Sequence, residues 1–256
     1  GKAYINFGEP FRLQDAADAA LPGWREIMTP DGSEKPVGFN KFVQQLGLEN
    51  ARRINAGAVA NANGLAAVAL LAAPQRDTAR DEFIEQIGHL IWLIKGVPVG
   101  PDQLVPETSP TAVLEWAVPI AGIAQVKHRW GDIYGVTGKA AVAMTYNRNN
   151  IQHLLAMPGL IANLFRTRGA MPEDSVLSSV QALYPFLRNE FFLPWPVDGI
   201  DAITRQTIAV LVQLGLLSRD PEDATWLVRP SVAQPAFSTL SMLGRVMGET
   251  LERYCI

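Results

Sequence analysis

The chain has 256 residues, 48% of them hydrophobic and 18% charged. This is an ordinary globular composition, enough for one large domain or two small ones. A net charge of −3 excludes a strongly basic nucleic-acid binder. The single cysteine, Cys255, excludes a disulfide framework and a thiolate metal cage and fits a reducing compartment.

The first residues, Gly1 to Phe7, alternate like a strand, and 4–7 reads as a short strand closed by Gly8-Glu9-Pro10. A strand needs a partner, and none lies nearby, so the opening reads as a cut through a larger protein. Residues 13–20 suit a short helix before Pro22-Gly23, and 29–38 is a loop rich in turn formers. The first long helix is expected over 39–55, with Phe42, Val43 and Leu46 on its buried face and Arg52, Arg53 and Asn55 at its end. A helix of small residues follows over 57–73 and stops at Pro74; its Asn61 and Asn63 need hydrogen-bond partners if buried. The apolar part of this stretch, 65–73, is shorter than the roughly 20 residues that span a bilayer, so no transmembrane helix is expected.

Two later stretches share a plan. In 77–137, Thr78 caps a helix carrying Phe83, Ile84, Ile87, Ile91 and Leu93; a second helix follows over 111–118, then strands at 123–126 and 132–136. In 173–229, helices at 174–187 and 198–214 lead through Gly215-Leu216-Leu217 and the turn Asp220-Pro221-Glu222-Asp223 to a strand at 225–228. Helix, helix, strand, turn, strand is the plan of a winged helix. Each stretch holds four Lys/Arg against eight Asp/Glu. Affinity for duplex DNA comes largely from phosphate neutralisation, so these modules are expected to pack on protein and not on nucleic acid. A last helix over 237–254 presents Leu240, Leu243, Val246, Met247 and Leu251 to the core.

Between the two stretches, 138–172 holds four basic residues (Lys139, Arg148, Arg166, Arg168) and no acid. An apolar run, 140–144, leads into Met144-Thr145-Tyr146-Asn147-Arg148-Asn149-Asn150-Ile151-Gln152-His153. Asn149 and Asn150 are read as the cap of a helix with Ile151, Leu154, Leu155, Ile161, Leu164 and Phe165 on one face. Asn149 and His153, four apart, share another face. A kink is expected at Pro158, with Arg166 and Arg168 in the last turn and Gly169 as the stop. Two readings stand side by side. Arg148, Asn149, Asn150 and His153 are structural, or they line or brace a site for a phosphorylated ligand, which a helix N-terminus beside an arginine suits. Phosphate-loop and serine-elbow motifs are missing. His89, His128 and His153 lack metal-ligand spacing, and neither a metal nor a cofactor is expected.

Five segments carry a resemblance. Gly1-Lys2-Ala3-Tyr4-Ile5-Asn6-Phe7-Gly8-Glu9-Pro10, Arg53-Ile54-Asn55-Ala56-Gly57-Ala58, the stretch from Met144 to His153, Leu183-Tyr184-Pro185-Phe186-Leu187 with Glu190, Phe192 and Leu193, and Glu249-Thr250-Leu251-Glu252-Arg253-Tyr254 resemble, in order, segments of the bacterial glycerol-3-phosphate 1-O-acyltransferases. Position 147 is Asn where that family usually has Tyr. The resemblance implies a membrane-associated enzyme moving a fatty acyl chain from acyl-CoA or acyl-carrier protein to glycerol 3-phosphate. It also implies a location on the cytoplasmic side of the bacterial inner membrane. The family's H-x-x-x-x-D motif is absent: five residues after the three histidines stand Ile94, Ile133 and Pro158. No catalytic residue is therefore assigned.

The expected fold is mainly α with a few short strands (α+β). Residues 1–38 would be the last strand and exit segment of the acyltransferase domain, and 39–256 a helical C-terminal domain with winged-helix-like units. Its expected partners are the catalytic domain of the same protein, that enzyme's substrates and a membrane surface. The alternative is a winged-helix-like scaffolding or regulatory module binding protein or nucleic acid.

Overall fold

The computed structural model describes residues 4–254; the opening Gly1–Ala3 and the tail Cys255–Ile256 lie outside it. The fold is mainly α with a few short strands. Residues 4–10 join no β-ladder, so the strand expected at 4–7 is not formed here. Two short helices, α1 (Leu13–Ala20) and α2 (Trp24–Ile27), precede α3 (Phe39–Ala56). The face expected to be buried on α3 is not covered: no residue of the helix is buried, and Val43 and Ile54 are 48% and 75% exposed.

The rest of the chain is one plan used twice. The first unit comprises α4 (Ala62–Ala72), β1 (Asp77–Ala79), α5 (Arg80–Gly96), α6 (Pro110–Ala121), β2 (Ala124–Val126), β3 (Ile133–Gly135) and α7 (Gly138–Ile151). The second comprises α8 (Ala156–Leu164), β4 (Ala170–Pro172), α9 (Glu173–Phe191), α10 (Ile200–Gln213), β5 (Ser218–Arg219), β6 (Trp226–Val228) and α11 (Pro235–Glu252). β1, α5 and β3 begin at 77, 80 and 133; β4, α9 and β6 begin at 170, 173 and 226, the same interval on each time. Both sheets are antiparallel, ordered β1-β3-β2 and β4-β6-β5. Tyr134 and Leu227, on the central strands, are buried.

The repeat is wider than the winged-helix plan of the sequence. Each unit also has a leading helix (α4 or α8) packed against a closing one (α7 or α11). α4 is almost wholly Ala, Leu and Val, and α8 has only one polar residue, Asn163. A helix apolar all round must be enclosed, and the core runs through both. Close approach is made possible by glycine in each pair. A Cβ on Gly64 would lie 3.0 Å from Ile151 Cδ1, and one on Gly159 would lie 2.5 Å from Met247 Cγ and 3.1 Å from the Leu243 carbonyl.

Several boundaries differ from expectation. α4 begins at Ala62, five residues late, because Asn61 caps it: its side-chain oxygen accepts from Gly64 N at 2.9 Å. Thr78 is not a cap; it lies buried in β1 opposite Tyr134. Asn149 and Asn150 do not start a helix but lie in the last turn of α7, which runs unbroken from Gly138 because nothing before Ile151 stops it. The break falls not at Pro158 but one turn earlier, in a 3₁₀ segment, Gln152–Leu155. In a continuous α-helix the Pro158 ring would collide with the Leu154 carbonyl. The tight turn moves that carbonyl aside, and Pro158 sits in the first turn of α8, where its missing N–H costs nothing. Arg166 and Arg168 lie beyond α8, which ends at Leu164, and Gly169 leads into β4. Among the described residues, no helix is long and apolar enough to cross a membrane.

The glycine contacts predict opposite responses to one substitution. Gly159→Ala overpacks the α8–α11 contact and lowers stability by about 1–3 kcal/mol. Gly47→Ala, within α3 and with no atom near its added Cβ, raises stability by roughly 0.5–1 kcal/mol. Thermal unfolding of the two variants measures both shifts.

Candidate functional site

The joint between the two units carries the residues singled out in the sequence. Asn149 and Asn150 close α7, and His153 lies in the 3₁₀ segment. Together with Tyr4, Asn55 and Asn61 they line a recess of about 470 Å³. Asn149 and His153 thus share a face, as their spacing predicts. Arg148 is not part of that recess.

His153 is buried, with Nε2 3.3 Å from the Asn55 carbonyl. A carbonyl only accepts, so Nε2 carries the proton and donates. Burial holds the ring's pKa down from 6.5 to about 4, and the Asn55 carbonyl offsets part of that effect. The side chain of Asn55 donates to the Phe191 carbonyl at 2.8 Å. Asn55 therefore ties the end of α3 both to the joint and to the end of α9. The opening segment rests on the same corner: Arg53 Nη1 donates to the Glu9 carbonyl at 2.7 Å, and its guanidinium lies 4.9 Å from the centre of the Phe11 ring. Among the described residues, no Lys or Arg lines the recess. Its described polar groups are amides, a phenol and a neutral imidazole, which can order a neighbouring chain by hydrogen bonds.

Arg148 points to the other side of α7, into a cavity of about 240 Å³ between the end of α4 and α11. Its side chain is 17% exposed and meets Glu249 Oε2 at 3.4 Å, while Nε and Nη2 reach the Asn149 side-chain oxygen at 3.3 and 3.2 Å. Arg166, Arg245 and Glu252 line the same cavity. The structure thus splits the four predicted residues: Asn149, Asn150 and His153 converge, and Arg148 joins a different set. Asn61 and Arg245 were missed as partners. The signal for Arg245 was an arginine between Leu243 and Val246 on an otherwise apolar face. Asn61 could not be joined to Asn149 without the fold. Among the described residues, no group of three or more His, Cys, Asp or Glu is placed to hold a metal ion.

The family model described as the glycerol-3-phosphate acyltransferase C-terminal region matches residues 1–256. The chain belongs to this family. Proteins named glycerol-3-phosphate acyltransferase from Pseudomonas syringae pv. syringae (strain B728a) and Pseudomonas putida (strain W619) are each 34% identical to it over 255 residues. One of the same name from Pseudomonas entomophila (strain L48) is 33% identical over 254 residues. Each match covers 99% of this chain, and the chain spans 30% of the length of these curated relatives. The resemblance carried by the five segments thus extends over the whole of this C-terminal region.

The buried imidazole predicts a pH dependence. His153 has its folded pKa depressed below its unfolded value, so the unfolded chain binds the proton more readily. Its contribution is present above pH 6.5 and is lost as pH falls towards about 4. The loss is on the order of 3 kcal/mol. Chemical denaturation at a series of pH values should show this slope in the wild type and its loss in His153→Gln, which cannot titrate.

Proposed function

We propose that this region supports the catalytic part of an enzyme that transfers a fatty acyl chain from acyl-CoA or acyl-carrier protein to the first hydroxyl of glycerol 3-phosphate, giving lysophosphatidate. Family membership and the names of the relatives support the activity. The observation that carries the supporting role is α3, an amphipathic helix with no buried residue and with Val43 and Ile54 uncovered. It stands beside the opening segment, whose Ile5 and Phe7 are also exposed. Exposed apolar side chains gathered on α3 and the adjoining opening segment suit an interface, and the catalytic part of the same protein is its proposed occupant. The recess of Asn149, Asn150 and His153 opens at that corner, and its amides would hold the catalytic part in register.

This region is proposed to be inactive by itself. It has no H-x-x-x-x-D motif. His153, the one histidine at the candidate site, has its Nε2 proton committed to a carbonyl and too low a pKa to act as a base near neutrality.

Peripheral attachment to the cytoplasmic face of the bacterial inner membrane is the second part of the proposal. It is supported by a contrast between the two hairpins. The tip between β2 and β3 reads Lys127-His128-Arg129-Trp130, with Trp130 81% exposed and Arg129 4.3 Å from its ring centre. The corresponding tip between β5 and β6 carries Asp220, Glu222 and Asp223. Cations around an exposed Trp suit an anionic bilayer surface. A nucleic-acid role is disfavoured: α6 carries Glu115 and no Lys or Arg, and α10 carries Asp201 against Arg205.

The test is acyl transfer from a long-chain acyl-CoA to glycerol 3-phosphate. This region alone should be inactive and should restore activity when combined with the catalytic part. Val43→Asp should leave its own melting temperature unchanged yet lower activity of the intact protein at least about tenfold through loss of docking; full activity in that variant would remove α3 as the interface. Separately, Trp130→Ser should reduce co-sedimentation with anionic vesicles, and equal co-sedimentation would discard the hairpin as the membrane contact.

A further inference from the structure

The cavity on the Arg148 side of the joint has a construction that neither the supporting role nor the helix packing requires. Three guanidinium groups converge on it from three elements: Arg148 from α7, Arg166 from the segment after α8, and Arg245 from α11. Arg76 lines an adjoining recess that shares Leu71, Arg148 and Glu249 with it. Among the described residues, Arg76, Arg166 and Arg245 form no ion pair.

Arg245 and Arg166 are placed by backbone contacts, while the acids lie at the exposed edge. Arg245 Nε donates to the Ala72 carbonyl, which fixes its guanidinium at the end of α4. Burial first and the neighbouring Arg166 second depress its pKa, and the Glu82 carboxylate offsets part of that effect. Arg166 lies along α11 over two glycines one turn apart. A Cβ on Gly244 would come within 2.9 Å of its Cγ, and one on Gly248 within 2.9 Å of its Nη1. Those two missing side chains form the trough that carries Arg166 into the cavity. Glu249, by contrast, is 69% exposed and 3.4 Å from Arg148, against 2.8 Å for each of the two pairs Glu173 makes with Arg205 and Arg219. Glu249 and Glu252 stand exposed on the last turns of α11 at the edge of the cavity. Holding the half-buried Arg245 beside Arg166 and Arg148 is unfavourable unless anions join them.

We propose that Arg148, Arg166 and Arg245 form a binding site for a phosphate group of two or more negative charges, separate from the recess of Asn149, Asn150 and His153. Forked guanidinium donors match tetrahedral phosphate oxygens. The cavity, about 240 Å³, admits a phosphate or pyrophosphate group. Its source is either a soluble phosphate ester or the headgroup of an anionic lipid reaching in from a bilayer. The inference does not depend on the acyltransferase reading, because binding is measured apart from acyl transfer.

Calorimetric titration of the intact protein with inorganic pyrophosphate tests it. Wild type should show a saturable site that weakens about tenfold in Arg166→Gln. Arg166 is exposed, so this variant should keep the wild-type melting temperature. Gly248→Ala, which displaces the Arg166 guanidinium without changing any charge, should weaken binding in the same direction. A parallel arm uses vesicles with and without phosphatidate. Dependence on Arg166 in the vesicle arm alone assigns the site to a lipid headgroup, and dependence in the pyrophosphate arm assigns it to a soluble phosphate. Equal binding by wild type and both variants in both arms overturns the site. Loss of acyl transfer from the intact wild-type protein, with pyrophosphate binding retained, would overturn the proposed function and leave this site standing.

Discussion

Two helices without an adequate polar face, α4 and α8, constrain everything around them. Neither can face water along its length, so each has to be wrapped. The close approach at Gly64 and Gly159 lets α7 and α11 do the wrapping at short range. Enclosing those helices contributes most to folding, since removal of apolar area from water is the chief driving force for a compact chain. The small sheets and outer helices are arranged around that pair of enclosed rods.

The joint follows from the same constraint. α7 packs on α4, and α8 begins at once in the second unit within the same core, so the 3₁₀ segment Gln152–Leu155 redirects the chain. Buried side chains secure it. Gln152 Nε2 donates to the Val246 carbonyl at 2.8 Å, and His153 meets Asn55. Because the two sides of α7 look into different spaces, neighbouring residues serve different chemistry. Arg148 faces cations and carboxylates, and Asn149, one residue on, lines the recess with amides and a neutral imidazole. The Asn149 side-chain oxygen also accepts from the Arg148 guanidinium, so it stands between the two spaces and links them.

Much of the architecture was legible. The positions of α1 and α9, the apolar face of α11, the first hairpin and the shared plan of the two stretches follow from local pattern. β1 and β4 were not legible, because each is three residues long and pairs with a strand far along the chain. The Asn149-Asn150 pair was misread because Asn favours helix ends of both kinds, and only the unbroken run from Gly138 decides which. The amphipathic pattern of α3 marks a face for burial, but within this region that face is not buried. No local pattern joins Arg166 and Arg245 to Arg148, since Arg166 reaches the cavity over Gly244 and Gly248 and Arg245 is placed by the Ala72 carbonyl. His153 and Asn55 belonged to two separately recognised segments, and only the fold joins them.

The uncovered α3 has a consequence for the life of the molecule in the cell. A lone helix of its length is marginal in water, and its apolar side is the kind of surface that chaperones and proteases survey. Under the proposed docking that surface would be covered, whereas in a molecule that misassembles it would stay on display. Clearance would then fall first on chains whose parts have not come together, and the amount of working protein would track assembly as well as synthesis.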